Sequence, residues 1–268
     1  MPGAVRQPCR SRCALLSKSG IAGLLRSPRG AAGLAGLGAL STALLLIGGE
    51  AQAQLGVSAA IDSDYRFRGV SLSDGQPDAR LSVAYDHASG AYAGAALTRA
   101  ELSPDRHSTQ VLGYAGVVTR TRFGPGWEAG LSVSHFSGDA RYDYGEVFTG
   151  LVDERWSLRL YYSPDYFGRR QPTAYAELDA HLALTPQLRL FGHAGALTVL
   201  HSRAGDDAAR SDPPRSRRTR VDLRAGIGFS GAAFDMQLAW VGVGRGGPYL
   251  AEYATRRAGW VLGAAVSF

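Results

Sequence analysis

The sequence predicts an all-β chain, an antiparallel transmembrane β-barrel of about twelve strands preceded by a cleaved signal peptide. Three observations predict it: apolar residues are plentiful but dispersed, apolar and polar residues alternate with period two in one segment after another, and the chain closes on an aromatic residue, Phe268. Hydrophobic residues make up 45% of the chain, yet its mean hydropathy is −0.09, a balance that suits alternating strands and not a bundle of transmembrane helices.

Residues 1–53 have the layout of a signal peptide. Basic side chains come first, the apolar run 31–47 follows, and Ala51-Gln52-Ala53 forms a small-x-small cleavage site before Gln54. The run is shorter than the roughly 20 residues a membrane-spanning helix needs, and Gly33, Gly36 and Gly38 interrupt it. Cys9 and Cys13 both fall in this segment, so the mature part, 54–268, carries no disulfide framework, thiol nucleophile or cysteine metal site. Five of the six formal positive charges belong to the same segment. Taking its six basic residues and Glu50 from the 29 basic and 23 acidic residues of the chain leaves 23 and 22, which removes the long-range positive field of a nucleic-acid binder.

The first mature segment places Leu55, Val57, Ala59, Ile61, Tyr65 and Phe67 on one face and Asp62, Asp64, Arg66 and Arg68 on the other. A tilted membrane-spanning strand takes about nine to eleven residues, with one face for lipid and one for a wet interior. The alternation returns at Trp127–Val133, Trp156–Tyr162, Ala174–Leu182, Val221–Phe229, Phe234–Trp240 and Ala258–Phe268, always without Asp, Glu, Lys or Arg on the apolar face. The opposite faces hold Glu128, Arg159, Glu177, Asp179, Arg220, Asp222, Arg224, Asp235 and Arg257. Weaker segments at 79–86, 91–99, 108–120, 143–151 and 188–200 bring the count to twelve. Short connections alternate with longer ones around Asp74, Pro104, Asp139, Arg169, Asp212 and Gly246, which places both termini on the periplasmic side. A secreted β-sandwich also alternates, but aromatic residues near many strand ends suit the girdles of a membrane barrel better.

Ser63-Asp64-Tyr65-Arg66-Phe67-Arg68-Gly69-Val70-Ser71, followed by Ser73-Asp74-Gly75 and Pro77, resembles the opening of the TorF family of porins. Tyr85-Asp86-His87-Ala88-Ser89-Gly90 and Tyr161-Tyr162-Ser163-Pro164-Asp165-Tyr166-Phe167-Gly168 agree with it. The resemblance implies an outer-membrane barrel acting as a porin and carries no ligand specificity.

On size, twelve strands lie between eight, whose interior side chains fill, and sixteen, which leave an aqueous channel, so a narrow or partly plugged conduit is expected. Candidate pore-lining residues are Asp64, Arg66, Arg68, Arg159, Glu177, Asp179, Arg220, Asp222 and Arg224. Their mixed signs predict weak ion selectivity, or a lumen partly closed by internal salt bridges; pairing across strands to hold the barrel's shape explains each of them equally well.

No enzyme is expected. Ser134 and His135 are adjacent on a strand and point to opposite faces, with His135 on the lipid side, so they cannot form a hydrolytic pair. His181 and His193 both project inward from neighbouring strands, without an apparent third metal ligand. Gly242, Gly244, Gly246 and Gly247 lack the following helix of a phosphate loop. Expected partners are outer-membrane lipids, the barrel-assembly machinery at the strand ending in Phe268, and small solutes or ions; Arg203, Arg210, Arg215 and Arg217 of the longest loop could contact lipopolysaccharide phosphates, although solvated loop charge is the simpler account of them, and no cofactor is called for. Three classes stay open at this level: a passive pore, a non-conducting structural or adhesive barrel, and a lipid hydrolase.

Overall fold

The computed structural model describes residues 54–103, 106–119, 121, 124–138, 140–200, 218–247 and 257–268. The signal-peptide segment 1–53 and the long-loop residues Arg203, Arg210, Arg215 and Arg217 lie outside them. Among the described residues fourteen strands follow one another: β1 (Gln54–Asp62), β2 (Arg66–Phe67), β3 (Val70–Ser71), β4 (Asp78–Asp86), β5 (Ala91–Ser103), β6 (Arg106–Thr119), β7 (Gly126–Phe136), β8 (Tyr144–Val152), β9 (Trp156–Ser163), β10 (Thr173–Ala183), β11 (Leu188–Val199), β12 (Thr219–Ser230), β13 (Phe234–Val243) and β14 (Ala258–Ser267). Two single turns of 3-10 helix, Ala140–Tyr142 and Tyr166–Gly168, stand in the loops.

Twelve of these strands form one closed antiparallel barrel in which each pairs with its chain neighbour. The ends join through β1 and β14, with Ser58 opposite Ser267 and Asp62 opposite Gly263. Closure satisfies the backbone donors and acceptors of every wall strand within the sheet, which is what a strand needs where no water can serve.

The strand faces fall as the period-two pattern predicts. Leu55, Ile61, Leu81, Leu131, Leu160, Leu178, Leu223, Leu238, Trp260 and Leu262 point outward, and inward positions hold Glu128, Arg159, Glu177, Arg220, Asp222 and Asp235. Leu178 stands midway along β10, opposite Leu158 and Ala194. Leu178→Arg should therefore lower folding stability in liposomes by about 2–4 kcal/mol, measured by denaturant titration, because the cation would lie at the membrane midplane.

Two expectations are corrected. The connection around Pro104 is not long: Ser103 pairs with Arg106, since β5 and β6 run 13 and 14 residues. More consequentially, β1 does not continue to Phe67. It stops at Asp62, residues 63–77 turn into the barrel, and Tyr65 and Phe67, expected on the lipid face, are buried inside it. Arg68 and Gly69 both have positive φ, 48° and 77°, and make a two-residue turn between β2 and β3. Positive φ at both central positions is the turn whose twist matches a tight hairpin. The same polar-apolar alternation thus serves a strand up to Asp62 and an inserted hairpin after it.

Candidate functional site

The inserted segment 63–77 is organised by one carboxylate. Asp64 accepts hydrogen bonds from Ser71 Oγ at 2.5 Å, Ser73 Oγ at 3.3 Å and Arg66 Nε at 2.6 Å. Arg66 Nη1 in turn donates to the carbonyl of Gly69 at 3.2 Å, and the Leu72 amide to the carbonyl of Tyr65 at 2.7 Å. A sequence dense in Ser, Asp and Arg folds into a turn here because short polar side chains bond the local backbone.

This segment reaches wall strands around the lumen. Tyr65 Oη donates to Gln110 Oε1 on β6 at 3.2 Å, and the amide of Glu101 on β5 to the carbonyl of Leu72 at 2.7 Å. Arg68 Nη1 and Nη2 donate to Glu146 Oε1 and Oε2 on β8, each at 2.8 Å. On the far side Gly69 abuts β12 and β13 so closely that a Cβ there would stand 2.6 Å from Asp222 Cβ and 3.0 Å from Val243 Cβ. A hairpin tip bonded to β8 and touching β12–β13 crosses the lumen at that level as an inserted plug. Around the tip packs a buried cluster that includes Phe67, Leu72, Phe136, Tyr144, Tyr161, Tyr166, Phe167 and Tyr175.

Beneath the plug lies a belt of ionisable side chains. Tyr92 Oη donates to Glu128, Arg159 Nε to Glu128 Oε2 at 2.7 Å, and Arg159 Nη1 lies 3.6 Å from Glu177 Oε1, which also accepts from Tyr161 Oη at 2.8 Å. The belt continues through Asp179 and Asp222, which flank His193 at 2.8 Å (Nδ1) and 3.0 Å (Nε2), with Tyr175 Oη 3.2 Å from Asp222 Oδ1. Further pairs are Arg80 with Asp62 at 3.3 Å and Arg189 with Asp235 at 2.7 Å. Arg224 stacks over Phe191, 5.1 Å from its ring centre. Ion pairs of both signs therefore run around this interior.

The nine candidate pore-lining residues thus separate into two groups. Arg159, Glu177, Asp179, Arg220, Asp222 and Arg224 stand on the inner wall. Asp64, Arg66 and Arg68 occupy the lumen but belong to the plug, not to a wall strand, because β1 ends before them. Sequence reasoning missed Glu146, Tyr161 and Tyr175. Tyr161 and Tyr175 hold the inward phase of strands whose outward phase was legible, so their signal was present, whereas Glu146 falls in the weaker segment 143–151. His181 does not join His193: it lies opposite Phe191, whereas Glu177, Asp179 and His193 have potential ligand atoms within 4.8 Å of one another. Both nitrogens of His193 are already engaged by carboxylates, and we read the group as part of the hydrogen-bonded belt. Ser134 is buried and His135 is exposed against Asp143 at 2.6 Å, on opposite faces as expected.

A family model described as a bacterial protein of unknown function (Gcw_chp) matches residues 48–212. The chain belongs to the Gcw_chp family. The match includes the plug, the Glu146 strand and the belt from Glu128 to His193, so these features lie in the part of the barrel that the family model covers. No curated protein matches the chain in sequence. Among solved structures, the NanC porin is similar with a TM-score of 0.52 at 9% identity, over 80% of this chain and 99% of that one. A KdgM porin in complex with disordered oligogalacturonate is similar with a TM-score of 0.50 at 12% identity, over the same shares of the two chains, 80% and 99%. At these identities the likeness establishes a shared barrel fold.

Proposed function

We propose that this Gcw_chp protein is a passive channel of the bacterial outer membrane for small hydrophilic solutes or ions, described here with its lumen plugged. The observation that carries the reading is the closed twelve-strand barrel, apolar on its outer face and ionisable on its inner one. Such segregation suits a wall between lipid and a polar path. The barrel fold shared with the NanC and KdgM porins supports it, as does the resemblance of 63–71 to TorF porins. In this reading both termini face the periplasm, the long loops meet lipopolysaccharide, the strand ending in Phe268 is the one offered to the assembly machinery, and the protein carries no catalytic centre.

The test is single-channel recording of refolded 54–268 in a planar bilayer under a salt gradient. Infrequent or small steps are expected from the intact chain, since the tip of the plug spans the lumen. A second reading, a structural barrel that never conducts, is favoured by the burial of the belt: Glu128, Arg159 and Glu177 are each 3% exposed or less. Silence of both the intact chain and one without its plug would establish that second reading.

A further inference from the structure

Arg68 is held in an unusual way for a residue of a turn. Its guanidinium carbon lies 4.0 Å from the ring centre of Tyr175, 5.1 Å from Phe67, and 5.2 Å from both Tyr161 and Tyr166. Both of its terminal nitrogens meet the Glu146 carboxylate at 2.8 Å, and the residue is 3% exposed. Aromatic faces around a cation together with a bidentate carboxylate are how a planar, weakly hydrated guanidinium is recognised.

Most of this cage is independent of the side chain inside it. Glu146, Tyr161 and Tyr175 stand on β8, β9 and β10, and Tyr166 on the loop between β9 and β10. Tyr161 is fixed by its bond to Glu177, and Tyr175 by its contacts with Asp222 and His193. Only Phe67 would leave with the plug. The occupant, by contrast, is carried by a hairpin of two residue pairs, Arg66 with Ser71 and Phe67 with Val70, whose tip residue takes a left-handed conformation that costs a residue with a side chain. The cage thus stands mainly on the barrel wall, and its occupant on a separate inserted turn.

We propose that Glu146, Tyr161, Tyr166 and Tyr175 form a binding site for solutes carrying a guanidinium group, which Arg68 fills as a tethered stand-in and from which such a solute displaces the plug. Glu146 explains why the occupant must be a cation: once Arg68 withdraws, a buried carboxylate loses the two hydrogen bonds that Arg68 gave it and requires a new partner. The rings favour a flat guanidinium over a hydrated metal ion. The site itself follows from the cage geometry; only its consequence, opening of a path, rests on the channel reading.

The experiment uses the refolded mature chain in detergent micelles, with folding verified by the shift of the unheated band on a gel, and methylguanidinium chloride as the probe. Arg68→Ala should bind methylguanidinium saturably by calorimetry. Adding Glu146→Gln should weaken that binding about ten- to hundred-fold, as loss of a charged hydrogen-bond partner predicts. Binding that is absent, or equal in the two variants, overturns the site. For a measurement that does not depend on refolding an Arg68 variant, Val70→Cys places a thiol in the buried hairpin of a mature chain that otherwise has none. Millimolar methylguanidinium should speed its reaction with a maleimide relative to sodium chloride at the same concentration; equal rates overturn the displacement. Bilayer recording separates the two readings: calorimetric binding with a silent bilayer upholds the site and removes the channel, and conductance without binding does the reverse.

Discussion

Arg159→Ala should cost the barrel about 3–5 kcal/mol of folding stability, the loss expected when one partner of a buried ion pair is removed. Arg159 is 1% exposed and serves two carboxylates, Glu128 at 2.7 Å and Glu177 at 3.6 Å, which are themselves 0% and 3% exposed. Deleting the guanidinium leaves both anions in the belt, with the neutral hydroxyls of Tyr92 and Tyr161 as their hydrogen-bond donors. A neutral donor does not offset the desolvation of an ionised carboxylate. Arg159→Ala combined with Glu128→Gln and Glu177→Gln should recover part of the loss, because the anions go with the cation. Urea titration of the refolded chain, followed by tryptophan fluorescence and band shift, measures all three states of the belt. A loss below about 1 kcal/mol would mean that water screens the belt as it does a surface pair.

The barrel wall was legible because the membrane and the lumen impose opposite demands on alternate residues. Trp156, Leu158, Leu160 and Tyr162 can be read as one face of β9 without knowing its neighbours, and Ser157, Arg159, Tyr161 and Ser163 as the other. Inward position therefore follows from phase alone, and six of the nine candidate residues stand on the inner wall. Partnership does not follow from phase. Glu146 and Arg68 are 78 residues apart and meet only because the hairpin enters the lumen. Tyr65 and Phe67 failed for the related reason that a buried hairpin and a lipid-facing strand ask for the same alternation of apolar and polar residues. The cue that separates them is local: Arg68-Gly69 between two short runs, then Ser73-Asp74-Gly75, a density of turn formers too high for a continuing strand.

Replacing residues 64–76 by a four-residue Asn-Gly turn should convert a mostly closed barrel into one that conducts steadily. The replacement is compatible with the wall, because Asp62 and Asp78 already face each other across β1 and β4, so a short turn closes the same register. It removes the only described segment that reaches from β8 to β12–β13 across the lumen, together with the Tyr65, Phe67 and Leu72 side chains of the buried cluster. It also strips Glu146 of the Arg68 cation, leaving an added negative charge at the level of the former plug. The open variant should therefore prefer cations, in the way rings of carboxylates select them. Restoring neutrality with Glu146→Gln in the same background should reduce that preference while keeping the current. Planar-bilayer recording under a salt gradient reads both quantities at once. Steady current with cation preference places the closure in the plug; a variant as silent as the intact chain places it in the Glu128–Arg159–Glu177 belt, and makes of the protein a barrel whose ion pairs serve its own stability and no passage.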